Sequence, residues 1–155
     1  MEFTQGVPFD SLGLSEEMLH ALKKKGYEVS TPVQAGCIPP MMEWKDVTAK
    51  APTGTGKTFA FGIPIVEHID TDSSAVQAVI LAPTRELALQ ITSEMREIAQ
   101  FKEGIRMVCL YGGQPIGKQI ETLKKKPQIV IATPGRLGDH LKRRTVRLDK
   151  VETVV

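Results

Sequence analysis

Aromatic residues make up only 5% of this 155-residue chain, and it contains just two cysteines. Cys37 and Cys109 have neither the paired spacing of a zinc site nor the density of a disulfide scaffold. Cys109 lies in an apolar run, where a thiol reads as a small core residue. A reducing, cytoplasmic setting is the simplest expectation. No apolar run approaches the ~20 residues needed to cross a bilayer, and residues 1–9 hold no basic segment followed by an apolar one. Neither a membrane partner nor a secretion signal is expected. Internal repeats, low-complexity tracts and interdomain linkers are missing as well.

What is present fits one globular domain: 41% apolar and 25% charged residues, with length enough to bury roughly 70% of the unfolded surface. The net charge of +2 is unevenly spread. Residues 1–101 carry 8 Lys/Arg against 13 Asp/Glu, and residues 102–155 carry 12 against 5. A basic half can mark a polyanion-binding face. Local explanations compete with that reading. Lys124-Lys125-Lys126 and Lys142-Arg143-Arg144 close predicted helices, as Lys23-Lys24-Lys25 does in the acidic half, and cations suit a helix carboxyl end. Charge asymmetry alone is weak evidence.

The run Ala51-Pro52-Thr53-Gly54-Thr55-Gly56-Lys57-Thr58 is far more specific. Glycines on both sides of Thr55 let the backbone curl and aim N–H groups at an anion. Lys57 supplies a point charge for outer phosphates, and the Thr58 hydroxyl can coordinate Mg²⁺. The spacing G-x-x-x-x-G-K-[ST] holds except that Ala51 takes the first position. Residues 46–50 read as a short strand and 59–69 as an apolar helix, so the helix amino end would face the phosphates. A gly-rich turn without a ligand is the bland alternative, and the strand–loop–helix setting disfavours it.

Strand-like runs recur at 78–81, 105–110, 129–131 and 151–155, making five with 46–50. Helical patterns fall at 15–25, 32–41, 59–69, 86–101, 115–125 and 136–143. Apolar strands alternating with helices predict an α/β fold: a mostly parallel sheet of about five strands, covered on both faces. Three strands end in short motifs, where open α/β sheets place ligands. These are Pro83-Thr84-Arg85, Tyr111-Gly112-Gly113-Gln114 and Thr133-Pro134-Gly135-Arg136. Thr84 and Thr133 are placed to cap the helices that follow, leaving amides free for phosphates. Each could be a mere cap or turn. Three in one sheet point to a track for a sugar-phosphate backbone.

Between the first two helices lies Gly26-Tyr27-Glu28-Val29-Ser30-Thr31-Pro32-Val33-Gln34. A glutamine amide can donate to N7 and accept from N6 of adenine at once, and Phe9 or Tyr27 could stack on the base. A surface glutamine and a core phenylalanine are the ordinary readings; the nearby phosphate loop gives the other weight.

Together these residues resemble the first RecA-like lobe of DEAD-box ATP-dependent RNA helicases, along nearly the whole chain. Gly26, Thr31, Pro32 and Gln34, with upstream Phe9, match the Q motif (about 7–35). Residues 51–58 match motif I and Pro83-Thr84-Arg85-Glu86-Leu87-Ala88 motif Ia. Gly112-Gly113 is the glycine doublet, and Thr133-Pro134-Gly135-Arg136 motif Ib. Ser30 stands where many members have Pro, Trp44 where a Gly is common, and Gly138 where a larger apolar residue is usual.

The resemblance implies a RecA-like P-loop NTPase fold, with ATP and Mg²⁺ as cofactors and RNA as partner. Lys57 and Thr58 would be the catalytic pair, Lys57 on the β- and γ-phosphates and Thr58 on Mg²⁺. Phe9, Tyr27, Thr31, Gln34, Thr53, Gly54, Thr55 and Gly56 would complete the nucleotide site, with Gln34 selecting adenine and Thr31 tying the Q motif to the phosphate loop. Pro83, Thr84, Arg85, Gly112, Gly113, Thr133, Pro134, Gly135 and Arg136 would line the RNA backbone without reading base sequence. In the family, the strand at 151–155 runs into Asp-Glu-Ala-Asp; here no Asp-Glu dipeptide occurs anywhere. The acids that position Mg²⁺ and the attacking water are missing, as are the Ser-Ala-Thr motif and the second RecA-like lobe. Residues 1–155 are thus expected to be the N-terminal part of a helicase ATP-binding domain that binds nucleotide without hydrolysing it or unwinding RNA. A different P-loop NTPase and a non-catalytic nucleotide-binding module are the alternatives.

Overall fold

The computed structural model describes residues 5–54 and 56–155. They divide into two units: the described residues up to His68 with Glu94–Lys102, and Ile69–Ser93 with Glu103–Val155.

The first unit is helical. Helix α1 (Glu16–Lys24) begins at Ser15, whose side chain accepts from the Met18 amide, and buries Met18, Ala21 and Leu22. Gly26, at φ +79°, ends it. Its amide reaches the Lys23 carbonyl at 2.9 Å while the Tyr27 amide reaches that of Leu22 at 2.9 Å, the Schellman arrangement that glycine favours. Helix α2 (Pro32–Met42) packs on α3 (Lys57–His68). Gly62 of α3 admits the end of α4 (Arg85–Ala99), since a Cβ there would lie 3.3 Å from Ile98 Cδ1. Ahead of α1, Ser30 clamps the incoming chain: its amide and hydroxyl both donate to the Val7 carbonyl at 2.8 Å, and its Oγ accepts the Val7 amide at 3.0 Å. A proline at position 30 would forfeit these bonds.

The second unit holds the sheet. Strands β1 (Ala78–Leu81), β2 (Met107–Leu110), β3 (Ile129–Ala132) and β4 (Thr153–Val154) lie in the order β2-β3-β1-β4, all parallel. Ala78 is level with Ile129 and Thr153, and Met107 with Ile129, so the amino ends of all four form one pole and the carboxyl ends the other. Helices α5 (Ile116–Leu123) and α6 (Pro134–Lys142) are the return connections. Val79, Val108, Leu110, Leu123, Val130, Ala132, Leu137 and Val146 make a shared core.

The sheet has four strands where five were expected. Residues 46–50 form no strand and are exposed. A strand is stable only when a neighbour takes up its backbone hydrogen bonds, and the described residues offer this stretch none. Among the described residues no helix is long and apolar enough to cross a membrane.

Candidate functional site

The phosphate-loop candidate is built from two left-handed glycines and a helix start. Gly54 and Gly56 have φ of +81° and +83°, a region that side chains with a Cβ avoid. The Gly56 carbonyl accepts the first α3 hydrogen bond, from the Ala60 amide at 3.2 Å, so the amides just after it have no partner within the helix. Lys57 is exposed, with no ion-pair partner among the described residues. Thr58 follows, half-buried. Left-handed glycines, helix-start amides and an exposed ammonium are the parts that a cradle for phosphate oxygens needs. Thr53 is exposed beside it; Thr55 lies outside the described residues.

Gln34 is buried against this loop, 4% exposed. Its Oε1 accepts the Thr31 amide at 2.8 Å while Thr31 Oγ1 accepts the Gln34 amide at 3.4 Å, a capping box at the start of α2. Gln34 Nε2 donates to the Gly56 carbonyl at 3.2 Å. It is therefore Gln34 that ties the two segments, while Thr31, expected to do so, caps the helix. A Cβ on Gly56 would fall 2.3 Å from that Nε2, a second reason for glycine there. The Tyr27 ring is 45% exposed and sits tilted against Phe59 of α3 at 5.7 Å. Phe9 is 3% exposed. Its ring belongs to the core and has no free face for a base, which corrects the stacking expected of it.

The three strand-end motifs converge on the carboxyl pole of the sheet. Thr84 Oγ1 accepts the Leu87 amide at 3.2 Å and so caps α4, with exposed Pro83 before it. The Arg85 guanidinium lies over the Tyr111 ring at 4.9 Å. Gly113 adopts φ +91°, and a Cβ there would stand 3.6 Å from Arg85 Nη1; Gly112 and Gly135 face open space. Thr133 and Pro134 begin α6, but the Thr133 side chain makes no cap bond, contrary to expectation.

Residues 31–155 match the family model described as DEAD/DEAH box helicase. The chain belongs to the DEAD/DEAH box helicase family. It is 50% identical over 147 residues to the ATP-dependent RNA helicase CshA of Limosilactobacillus reuteri, covering 95% of this chain and 29% of that protein. To the DEAD-box ATP-dependent RNA helicase CshA of Geobacillus kaustophilus it is 51% identical, covering 95% and 31%. The chain thus spans about a third of the length of these relatives. A crystal structure of a DEAD box protein from the hyperthermophile Methanococcus jannaschii superposes with a TM-score of 0.87 at 38% identity, covering 93% of this chain and 39% of that one. The RecA-like parallel sheet inferred above is that of the DEAD-box fold.

Within this DEAD-box lobe, one motif arginine behaves unexpectedly. Arg136 has 14% of its side chain exposed. Its Nη1 donates to the Gln114 carbonyl at 2.9 Å and to Gln119 Oε1 at 3.2 Å. It faces inward, toward Gln114 and Gln119. Behind it lies a network that the sequence reading missed. Gln119 Nε2 donates to the Tyr111 carbonyl and to Gln114 Oε1, both at 2.9 Å. Fully buried His140 bridges Gln119 Oε1 at 2.8 Å and Thr145 Oγ1 at 2.7 Å. Burial, then the nearby Arg136, lowers the His140 pKa; the neutral ring donates from Nε2 and accepts at Nδ1. Gln119, Arg136 and His140 hold both flanks of the Gly112-Gly113 turn. The available signal was a histidine three residues beyond buried Leu137, on the core-facing side of α6.

Proposed function

We propose that this chain is the ATP-binding, RNA-contacting lobe of an ATP-dependent RNA helicase. In the whole protein it would close with a second lobe on ATP and one RNA strand, bending the strand and opening short duplexes. The observation that carries this reading is the pair of left-handed glycines before Lys57, which has no ion-pair partner among the described residues, at the start of α3. The names of the CshA relatives support the choice of ATP and RNA.

Lys57 binds the outer phosphates, and the amides at the start of α3 hold their oxygens. Mg²⁺ would neutralise phosphate charge. Thr58 offers it a hydroxyl. Gln34 keeps one amide hydrogen and one carbonyl lone pair beyond the bonds already made, enough to read N7 and N6 of adenine, with Tyr27 beside the base. Thr84, Thr133, the Gly113 and Gly135 backbone and Arg85 position the RNA strand through its phosphates and sugars.

Calorimetric titration tests the nucleotide half. The chain is expected to bind ATP weakly and, lacking an Asp-Glu pair, to show almost no ATP turnover with or without RNA. Gln34→Ala should weaken ATP more than GTP. Equal losses for both nucleotides would remove Gln34 from base selection, and RNA-stimulated turnover would refute the non-catalytic assignment.

A further inference from the structure

We propose that the amino pole of the sheet, opposite the strand-end motifs, carries a docking pocket for an acidic peptide bearing one apolar anchor side chain. A cavity of about 300 Å³ opens there, among the segments entering β1, β3 and β4. Its floor is apolar: Leu123, Pro127 and Val146 are buried, and Val76 packs on the same core. Its rim carries Lys126, Arg144, Arg147 and Lys150, all exposed. None of these four cations has an ion-pair partner within 4.0 Å among the described residues.

The helix ends do not account for this charge. Helices α5 and α6 both finish near the cavity, and each carboxyl end is worth about half a negative charge. Arg106 already serves the end of α5, donating from Nε to the Lys125 and Lys126 carbonyls at 3.0 Å. With Asp149, the only lining carboxylate, the negative side comes to about two charges against four. The excess favours an anion.

Backbone conformation marks two of the four. Lys126 and Arg144 have φ of +59° and +57°. Arg144 ends α6 in the same motif as Gly26 ends α1: its amide reaches Leu141 and the Thr145 amide reaches His140. Glycine is favoured at such a point, yet cations stand at both positions beside the cavity.

The lining decides the ligand class. No aromatic side chain lines the cavity, so a nucleobase would find no stacking surface. The volume lies at the small end for organic-ligand sites, which suits one anchor side chain better than a whole cofactor. Acidic neighbours of that anchor would meet the rim.

Fluorescence anisotropy of the full chain with labelled ten-residue Asp/Glu peptides tests this. Peptides with a central Leu or Phe should bind at least tenfold tighter than the same peptide with a central Ala. The double variant Lys126→Gly, Arg144→Gly should lose tenfold or more of that affinity while its melting temperature holds or rises and ATP binding is unchanged. The proposal fails if anchored and Ala peptides bind alike, or if no peptide saturates. It also fails if the double variant weakens an oligouridine probe as much as the peptide, which would make this an RNA surface.

Discussion

Trp44 shows how one side chain can hold an unfavourable backbone. It adopts φ +63°, which costs a residue with a Cβ roughly 1–2 kcal/mol, and this is where the resemblance calls for glycine. The indole stacks on His68, centroids 3.8 Å apart and rings within 8° of parallel, while His68 Nε2 donates to the Met42 carbonyl at 3.0 Å. A stacked pair contributes about 0.5–1.5 kcal/mol, so the contact offsets much of the strain. Trp44→Ala keeps the strain and loses the stack, whereas Trp44→Gly relieves it. Urea unfolding should therefore find the Gly variant more stable than the Ala variant by about 1 kcal/mol; the reverse order would mean that the strain is not felt. His140 acts at the same scale. Its folded pKa lies below the ordinary imidazole value of about 6.5, so the unfolded chain takes up the proton first as pH falls. Stability from this group is complete above about 6.5 and declines below it. His140→Gln should flatten that part of a melting-temperature profile, and an unaltered profile would assign the acid sensitivity elsewhere.

At the scale of elements, two of the three helices that follow strand-end motifs start differently. Thr84 caps α4 through its hydroxyl, whereas Thr133 leaves the first turn of α6 without a side-chain cap. Losing a cap costs about 1 kcal/mol. Thr84→Ala should lower the melting temperature by several degrees and Thr133→Ala should leave it unchanged, while Thr133→Ala weakens RNA. A drop in stability from Thr133→Ala, with RNA binding intact, would return that hydroxyl to a structural role. Both motifs, and the phosphate loop, were legible because caps, glycines and strand ends are local signals. Strand 46–50 was not, because the sequence displays a strand's composition but not its hydrogen-bond partner.

Across the whole molecule, the uneven charge resolves into separate features. The carboxyl pole, where RNA is proposed to lie, has Arg85 as its exposed motif arginine, because Arg136 points inward. Each phosphate neutralised on a single strand contributes about −0.7 to the slope of log affinity against log salt. With one motif cation in play, the slope for oligouridine should be shallow, about −0.7 to −1.5. A slope of −3 or steeper would place the basic amino pole in contact with RNA. Affinity should also be indifferent to base sequence.

The amino-acid sequence alone determined the helices, the Thr84 cap, the glycine turns and the family, because each rests on residues within a few positions of one another. Tertiary structure decided what the same residues touch across the chain. Gln34 reaches Gly56 over 22 positions, Arg136 reaches Gln114 over 22, and His140 reaches Gln119 over 21. Whether a polar group faces a ligand or a neighbour depends on which element packs beside it, and spacing along a helix or strand carries no record of that.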